Sequence, residues 1–424
     1  MAEKLMLLED ARAIVLGAVD PTETVEVPVW RAAGLPLAAD VATDIDLSPF
    51  DNSAMDGYAL RAADLASASA EHPVALDVVG HEAAGHVFGG EVGEGQAVRI
   101  MTGAPVPAGA DAVVKYEVVE VEGGDGNEGS RAVFTAPAKV GENIRVAGLE
   151  AHAGEAVLRA GEVVTPAGCG LIASAGHATA PVHRAPRVGV ISLGTELVAP
   201  GEVPARGQIR DSNASALLAS AAAAGAEPVF YGIAPDDEAA IRALVLRAAG
   251  ECDFVITSGG ASAGDYDYVT ALAREAGEVL FDRISMKPGK AITFGRIAGT
   301  PYLGLSGNPA AAYVGFEMLA RPAIRKMLGF TAFDRPVQRA RVERDVKKRQ
   351  ARRFYDRARV VRDEETGELT VSEAKSQNSA LLGTLQQANC LLMVPDGLPA
   401  DRVGYHAGDL VPCVRLDIEE GTVL

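Results

Sequence analysis

The pattern of hydrophobic and polar positions differs between regions of the chain. The first region is predicted to contain a helix followed by a set of short β-rich runs. Apolar residues recur at helical spacing from Leu5 to Val19, and Asp20-Pro21 ends the pattern. From Val25 to about Val182, apolar runs of strand length alternate with glycine and proline turns. The clearest runs are 25–29, 74–79, 97–100 and 113–121, and 122–130 is a loop by composition. These features predict mostly-β modules preceded by one amphipathic helix.

The segment from about Arg187 to Phe330 has strands that alternate with helices. Buried strands are predicted at 187–192, 228–231 and 253–257, and helices at 211–224, 236–249 and 268–276. The first of these helices opens with three capping residues, Asp211, Ser212 and Asn213. The alternation indicates a mostly parallel sheet covered by helices. Ligands of such sheets bind beyond the carboxyl ends of the strands, so the loops after the strands are the candidate binding region.

After Phe330 the pattern returns to β. The strand-like runs are 337–346, 357–361, 369–372, 390–394 and 411–418. They predict a small C-terminal β domain or barrel. The fold class predicted for the whole chain is therefore multidomain, α/β plus β, and 424 residues suffice for two to four domains.

Charge and cysteine usage narrow the function classes. The formal net charge is −18, and an acidic surface repels nucleic acid and anionic membrane, so neither is expected as a partner. An anionic substrate would then need a local basic site. No apolar stretch reaches the ~20 residues that span a bilayer. The four cysteines are far apart and form no Cys-x-x-Cys pair, which is typical of reduced thiols, so a cytoplasmic protein is expected.

The strongest local chemical signal is the glycine-rich stretch TSGGASAGD at 257–265, directly after a predicted buried strand. Its glycines permit positive φ angles and close approach of a ligand, and its hydroxyls and amides can bind an anion. The candidate binding residues are Ser258, Gly259, Gly260, Ser262 and Gly264. Asp265 ends the loop, either as the N-cap of the next helix or as a carboxylate that faces the ligand and its metal.

Two later loops carry further features of anion sites. Lys287 and Lys290 flank a Pro-Gly turn, so their ammonium groups lie near one spot that suits a phosphate or another oxyanion. The stretch GLSGNP at 304–309, with Ser306 and Gly307, leads into a helix predicted over 310–328. Asn308 fits the N-cap and proline the first helical position, and the free amides of that helix start are a second candidate anion site.

Three motifs upstream give little indication of function when each is taken alone. Asp56 lies in the turn-like stretch DNSAMDGY at 51–58, and Thr102 lies at the apex of the loop RIMTGAPVP at 99–107. Each alone predicts only a tight turn. His81 and His86 resemble a zinc-protease motif, but their i, i+5 spacing sets them ~140° apart on a helix, so metal binding is not predicted there.

Together these segments resemble the molybdopterin molybdenumtransferase family, which includes bacterial MoeA and the C-terminal domain of gephyrin. The resemblance covers essentially the whole chain. The segments that carry it, in order, are FDNSAMDGYAL (50–60), RIMTGAPVP (99–107), SLGTELV (192–198), GQIRDSNASAL (207–217), TSGGASAGDYDY (257–268), MKPGKAITFG (286–295) and GLSGNPAAAYVGFE (304–317). These motifs are long and stand in the family's order, which favours a true relationship over a chance match.

The resemblance implies four domains and a shared active site. An elongated N-terminal domain would comprise 1–25, 45–50 and 143–182, and an inserted β domain would comprise 26–44 and 51–142. An α/β domain similar to molybdopterin adenylyltransferase would cover 183–331, and a β-barrel would cover 332–424. The family forms a homodimer whose active sites combine the α/β domain of one subunit with the N-terminal domains of the other. A transient contact with the adenylyltransferase is also implied.

The implied reaction inserts molybdate into adenylylated molybdopterin and releases AMP, with Mg²⁺ as cofactor. Two lysines, Lys287 and Lys290, and the helix start at Asn308 would neutralise the anionic substrates, while Arg353 and Ser379 would reach toward molybdate. The implied catalytic residues are Asp56, Thr102, Glu196, Asp236 and Asp265, of which Asp56, Glu196 and Asp265 would hold the metal. For Asp236 the neighbouring Asp237, or simple helix capping, is an alternative.

Four positions depart from the family pattern. Glu150 stands where aspartate is usual, Ala291 and Ser306 replace prolines, and Ala311 stands where a serine is common. These changes concern the fine geometry of the molybdate site and leave the class unchanged.

Three alternative functions remain open at this stage. A molybdopterin adenylyltransferase shares the α/β domain, but it is typically a single domain without the 50–60 motif. A non-enzymatic scaffold would not need the acidic and lysine motifs. A tungstate-inserting paralogue would have the same sequence features, because the two oxyanions are alike.

Overall fold

The computed structural model describes residues 5–83, 85–260, 268–348, 350–396 and 402–422. The chain forms two compact units, one of Met1–Val25 with Pro181–Leu424 and one of Glu26–Ala180. Among the described residues there is no helix with the length and apolar character needed to cross a membrane.

The helices and strands are numbered in chain order. The helices are α1 (Leu8–Gly17), α2 (Pro166–Ser174), α3 (Asn213–Ala223), α4 (Glu238–Glu251), α5 (Tyr268–Ala276), α6 (Pro309–Gly315), α7 (Arg321–Met327) and α8 (Gly383–Gln386), and a π-helical turn (Phe316–Ala320) joins α6 to α7. The strands are β1 (Thr24–Pro28), β2 (Val41–Ala42), β3 (Asn52–Ser53), β4 (Gly57–Leu60), β5 (Val74–Glu82), β6 (Gln96–Ile100), β7 (Ala112–Lys115), β8 (Glu120–Glu122), β9 (Arg131–Phe134), β10 (Ile144–Arg145), β11 (Ala156–Leu158), β12 (Thr179–His183), β13 (Arg187–Leu193), β14 (Leu197–Val198), β15 (Ile209–Arg210), β16 (Glu227–Ala234), β17 (Phe254–Ser258), β18 (Gly277–Arg283), β19 (Met286–Lys287), β20 (Ala291–Ile297), β21 (Thr300–Leu305), β22 (Val337–Val342), β23 (Val346–Lys348), β24 (Arg353–Arg362), β25 (Leu369–Glu373), β26 (Cys390–Val394), β27 (Arg402–Tyr405) and β28 (Leu410–Arg415).

The Glu26–Ala180 unit is built on a six-stranded sheet with the order β7-β4-β6-β5-β9-β8. Its pairs are antiparallel except for β5 with β6, which is parallel. Apolar side chains that alternate along these strands form the core, among them Tyr58, Leu60, Leu76 and Phe134. The predicted strand 113–121 was wrong, because β7 ends at Lys115 and a 3-10 turn separates it from β8.

In the other unit, a six-stranded sheet has the order β16-β13-β17-β21-β20-β18. The first four strands are parallel, and β20 and β18 add antiparallel at one edge. Buried residues of α1, α3 and α7 pack on one face of this sheet, and those of α4 and α5 pack on the other. The predicted strand and helix alternation is therefore confirmed, and α5 has the predicted bounds. The carboxyl ends of β13, β17 and β21 lie at one edge, where the candidate site is built.

The C-terminal part of the same unit is a closed barrel. Strands β24, β25, β22, β28 and β26 pair in that order, and β26 pairs again with β24. Even-numbered residues of β24 such as Phe354, Ala358 and Val360 belong to the barrel core. The short strand β19 pairs with β24 and so ties the Lys287 loop to the barrel. The predicted fold class, α/β plus β with a C-terminal barrel, is confirmed, whereas the four domain boundaries stay a prediction.

Candidate active site

Loops that follow the parallel strands surround a cavity of about 630 Å³. The loop after β13 supplies Gly194 and Glu196, and Asp236 follows β16. The other predicted site residues that line this cavity are Ser258, Gly259, Gly260, Ser306, Gly307 and Asn308. The structure therefore brings together eight of the predicted site residues at the carboxyl edge of the sheet, where the parallel fold leaves backbone groups free for a ligand.

Gly259 and Gly260 are required by the backbone at the end of β17. Both have positive φ angles, +91° and +69°. A Cβ atom on Gly259 would lie 2.2 Å from the carbonyl oxygen of Leu193, so no larger residue fits there without a shift of the strand. The amide of Gly259 donates to the carbonyl of Leu305, which fixes the loop after β17 beside the loop after β21.

Asn213 joins three segments of the cavity wall. This buried side chain donates through Nδ2 to Ser258 Oγ at 2.7 Å and to the carbonyl oxygen of Gly307 at 2.9 Å. The sequence predicted only a capping role for the start of α3. Asp211 does cap the helix, since its Oδ1 accepts from the amide of Ala214, while Asn213 holds the glycine-rich loop beside the Gly307 loop.

The second carboxylate oxygen of Asp211 makes no hydrogen bond within the described part of the chain. The side chain is 3% exposed and lines the cavity, and its Oδ2 has no hydrogen-bond partner among the described residues. Ser192 Oγ, at the end of β13, is likewise buried and unpartnered in the described part of the chain. Buried acceptors of this kind are satisfied by water or by a ligand donor. Because Asp211 lines the cavity, its free oxygen suits a hydroxyl or amino group of a ligand.

Replacement of Asn213 by alanine should loosen this wall. The variant leaves Ser258 Oγ and the Gly307 carbonyl without their donor, which costs about 1–3 kcal/mol of the free energy of unfolding. Urea unfolding measures that cost, and the Michaelis constant of the substrate should rise with it. Ser215→Ala, at an exposed position of the same helix, is the matched control. A variant at 213 that behaves like this control would contradict the bridging role.

Glu196 and Asp236 present two carboxylates to the same cavity. Both are exposed at its rim. Asp236 Oδ2 accepts from the amide of Thr195 at 3.2 Å, and the amide of Asp236 donates to Thr195 Oγ1 at 3.0 Å. The cap of α4 is Asp237, whose Oδ1 accepts from the amide of Ala240. Helix capping therefore does not occupy Asp236, which stays available to a ligand.

A second cavity, of about 320 Å³, adjoins the first. The two share Ala291, Ser306 and Asn308 in their walls. Lys287, Lys290 and Ser379 line the second cavity, as do three residues that the sequence did not single out, Arg352, Asp356 and Arg357. The cationic side chains make this the more basic of the two cavities, and it suits an oxyanion.

The start of α6 does not provide the anion site that its sequence predicted. Asn308 is the N-cap and Pro309 the first residue, as expected. Proline has no amide hydrogen, the amide of Ala310 donates to the Ser379 carbonyl, and the amides of Ala311 and Ala312 donate to the Asn308 carbonyl. Because these amides are already paired, the prediction of free amides at this helix start is wrong.

Arg353 points away from the second cavity. Its guanidinium pairs with Asp396 at 2.9 Å and with Glu9, so the geometry does not support the predicted contact with molybdate. The neighbouring Arg352, which directly precedes β24, lines the cavity instead and donates to the Met286 carbonyl. No local signal separates these two arginines, because Glu9 and Asp396, the partners of Arg353, are distant in sequence.

Asp56 and Thr102 lie together in the Glu26–Ala180 unit. Asp56 Oδ1 accepts from the Thr102 amide at 2.7 Å and from Thr102 Oγ1 at 2.8 Å. These hydrogen bonds, aided by the charge of Arg99, hold the pKa of Asp56 below its usual value. The two predicted residues, 46 positions apart in sequence, thus form one exposed carboxylate site that is ionised at neutral pH.

Three predicted residues, Ser262, Gly264 and Asp265, lie outside the described residues. Within the described ranges, no group of three or more His, Cys, Asp or Glu side chains could hold a metal ion. Glu196 and Asp236 alone line the sheet-edge cavity as exposed carboxylates. Mg²⁺ is commonly bound through one or two carboxylates together with substrate phosphates, so this donor set fits magnesium in a substrate complex.

Comparison with known proteins identifies the family. The model for the MoeA N-terminal region (domain I and II) matches residues 6–176, that for a probable molybdopterin binding domain matches 189–326, and that for the MoeA C-terminal region (domain IV) matches 339–416. A molybdopterin molybdenumtransferase of Bacillus subtilis is 37% identical over 389 residues, which are 91% of this chain and 88% of that protein. The chain belongs to the MoeA family.

Two further members of this family agree with that result. A protein of Mycobacterium tuberculosis named molybdopterin molybdenumtransferase 2 is 39% identical over 395 residues, 92% of this chain and 95% of its own length. The crystal structure of a molybdopterin biosynthesis MoeA protein from Pyrococcus horikosii has a TM-score of 0.83 and 30% identity, over 98% of this chain and 100% of that one. The resemblance seen in the sequence is confirmed.

Proposed function

We propose that the chain is a molybdenum insertase, a transferase of molybdenum cofactor biosynthesis that inserts molybdate into adenylylated molybdopterin and releases AMP. The observation that carries the proposal is the pair of adjoining cavities. One has carboxylates and a glycine-rich wall, and the other has lysines and arginines. Two different groups of a reaction, a nucleotide-bearing substrate and a tetrahedral oxyanion, can therefore be held side by side.

The two cavities have side chains of different charge, and each set would bind a different part of the substrates. Lys287 and Lys290 would neutralise the oxyanion in the basic cavity, with Ser379 as an additional polar contact. Glu196 and Asp236 would hold Mg²⁺ beside the phosphoanhydride in the other cavity, with Asp265 as the further predicted ligand. Bound magnesium supplies charge stabilisation at the phosphoryl oxygens. Backbone at Gly259 and Gly260 allows the substrate to approach the end of β17 closely.

The role proposed for Asp56 and Thr102 requires a second copy of the chain. We propose a homodimer in which the Asp56–Thr102 pair of one subunit completes the cavity of the other, and in which the adenylyltransferase delivers the substrate by transient contact. The ionised Asp56 would then add a carboxylate near the metal. A cytoplasmic location belongs to the same proposal, and the four cysteines, all free thiols, accord with a reducing compartment.

The test is product formation by the purified protein from adenylylated molybdopterin, molybdate and magnesium. AMP and cofactor should appear together, and removal of magnesium by a chelator should lower the rate on the order of 100-fold, the effect of losing about 3 kcal/mol of charge stabilisation. Asp265→Ala should cause a comparable loss. A magnesium-independent rate would remove the metal from the proposal.

The same assay separates the alternatives. A protein that adenylylates molybdopterin from ATP, and does not consume the adenylylated form, would be an adenylyltransferase. A protein that does neither would be a scaffold. Tungstate in place of molybdate, at matched concentrations, distinguishes the tungstate-inserting paralogue. The matches to the MoeA N-terminal and C-terminal regions favour the insertase, because an adenylyltransferase is expected to have the α/β domain alone.

A further inference from the structure

Asp356 is an unexpected group in the basic cavity. Among the described residues that line it, Asp356 is the one carboxylate, beside Lys287, Lys290, Arg352 and Arg357. Only 4% of the residue is exposed. If ionised, this carboxylate would repel the oxyanion that the surrounding cations attract. A buried anion in an anion site therefore requires a physical explanation.

The explanation starts from Glu373 on the neighbouring strand. Antiparallel pairing of β24 with β25 sets Glu373 opposite Ala358, whose side chain faces the barrel core. Asp356 is two residues from Ala358 and faces the same side. The two side chains are diagonal neighbours on adjacent strands, and each carboxyl group affects the pKa of the other. Because the charge of one carboxylate opposes ionisation of its neighbour, one of the two groups keeps its proton to a higher pH than usual.

The cationic side chains around this pair make contacts with other groups, although the charges of Lys287 and Arg357 still act on Asp356. The Lys287 ammonium lies 4.3 Å from the centre of the Phe354 ring. The Lys348 ammonium lies 5.6 Å from that ring and donates to the Pro395 carbonyl. Arg357 donates to the carbonyls of Ser376 and Asn378. On β26, the residue opposite Asp356 is the apolar Leu392.

These surroundings place the titration of the pair near neutrality. Burial raises the pKa of Asp356 to about 6, although the charge of Lys287 opposes the rise. Burial and the contact with Asp356 raise the pKa of Glu373 to about 7. Between these values the pair as a whole holds one proton, and above pH 7 it loses that proton.

We propose that a tetrahedral oxyanion such as molybdate enters the basic cavity together with one proton, which Asp356 and Glu373 share. The bound dianion makes ionisation of the pair less favourable, so its proton affinity rises on binding. The linkage has a definite sign, because the protonated form binds the oxyanion more tightly and affinity falls as the pH rises above the free pair's titration. This inference rests on the proposed function, since it takes the basic cavity as the site of molybdate.

Titration calorimetry with molybdate alone tests the proposal. Binding is measured from pH 6 to pH 8.5 in two buffers of different ionisation enthalpy, HEPES and Tris, so that the difference in heat gives the number of protons taken up. The wild-type protein should take up close to one proton at pH 8, and its affinity should fall about tenfold per pH unit above pH 7. Molybdate remains a dianion throughout this range.

Two variants test whether the Asp356–Glu373 pair is the group that takes up the proton. Asp356→Asn/Glu373→Gln keeps the shape of the pair and fixes it in a neutral form, so proton uptake and the pH dependence should both disappear while molybdate still binds. Glu364→Gln, an exposed carboxylate on the turn between β24 and β25, should behave as the wild type. Circular dichroism and thermal melting show whether the double variant is folded, and the single variants, Asp356→Asn and Glu373→Gln, replace it if it is not.

Three outcomes would overturn the proposal. They are wild-type binding without proton uptake, uptake that persists in the double variant, and no molybdate binding up to millimolar concentration. Release of AMP in the same preparations distinguishes this failure from failure of the proposed function. If the protein is active but molybdate binds without proton uptake, only the proposed role of the Asp356–Glu373 pair is wrong. If binding takes up a proton but the protein is inactive, only the proposed insertase function is wrong.

Discussion

An equimolar mixture of Asp56→Ala and Lys287→Ala subunits should regain about a quarter of the wild-type activity, although each variant alone is nearly inactive. Asp56 belongs to the Glu26–Ala180 unit, and Lys287 belongs to the unit that contains the two cavities. If each active site takes these residues from different subunits, a mixed dimer has one intact site and one doubly defective site. Random exchange makes about half of the dimers mixed, so about a quarter of all sites are intact.

The matched control uses two defects on the same side of the site. Asp236→Ala and Lys287→Ala both affect the unit that contains the cavities, so a mixed dimer of these variants has one defect in each site and recovers no activity. Subunit exchange is checked by mass spectrometry of differently tagged chains. Exchange without recovery in the Asp56 mixture would show that each site is complete within one subunit, and would remove the shared-site proposal.

The sequence predicted the residues whose role follows from local chemistry. Gly259 and Gly260 were recognisable because a glycine-rich turn after a buried strand needs positive φ angles, and these are observed. Asp56 and Thr102 were recognisable only through the family resemblance, since a hydrogen bond across 46 residues has no local signal. Their proximity is a consequence of the antiparallel pairing of β4 with β6.

The sequence failed where a role depends on pairing across the fold. Arg353 and Arg352 are equivalent in a linear motif, and only the distant partners of Arg353, at positions 9 and 396, distinguish it from the arginine that lines the cavity. Asp356 and Glu373 meet only because β24 and β25 are antiparallel neighbours. The amides at the start of α6 looked free, because the Ser379 carbonyl that uses one of them is 69 residues away. Long-range partners are the physical information that one sequence lacks.

Glu420→Ala should be the most destabilising single substitution that we predict, at about 3–5 kcal/mol of the free energy of unfolding. The Glu420 side chain is 1% exposed and pairs with Arg321, with Arg325 at 3.6 Å and with Arg335 at 3.8 Å. Glu317 is the second buried carboxylate of this network, 3.1 Å from Arg335. Removal of Glu420 leaves three cations with one carboxylate, and buried charges without a partner carry the full cost of desolvation.

The network matters to the site because it anchors the helix that begins at the cavities. Arg321 and Arg325 belong to α7, which continues the helical segment that starts at Pro309 next to Asn308. Glu420 lies in the chain beyond β28 and so ties the C-terminal segment to that helix. Loss of the tie should loosen the wall that both cavities share, so activity should fall at temperatures below the main unfolding transition.

A lower pH should remove the stabilisation of the folded state that Glu420 contributes. Burial alone would raise the pKa of Glu420, but the hydrogen bond and charge of Arg321 outweigh it and hold the pKa below the ordinary 4.5. A lowered pKa in the folded state contributes stability that is present above the unfolded value and is lost as the pH falls through the folded value. The difference between wild type and Glu420→Ala should therefore be constant near neutrality and should shrink below pH 4.5.

Urea unfolding followed by circular dichroism measures the effect, with the matched variant Glu419→Ala, exposed and adjacent, as control. Tryptophan fluorescence is unsuitable, because the single tryptophan, Trp30, lies in the Glu26–Ala180 unit and does not report on this network. Glu420→Gln should lose less than the alanine variant, since the amide oxygen still accepts from Arg321 Nε. Equal unfolding midpoints for Glu420→Ala and Glu419→Ala would mean that water or the remaining Glu317 compensates the arginines, and that the buried network does not hold the helix.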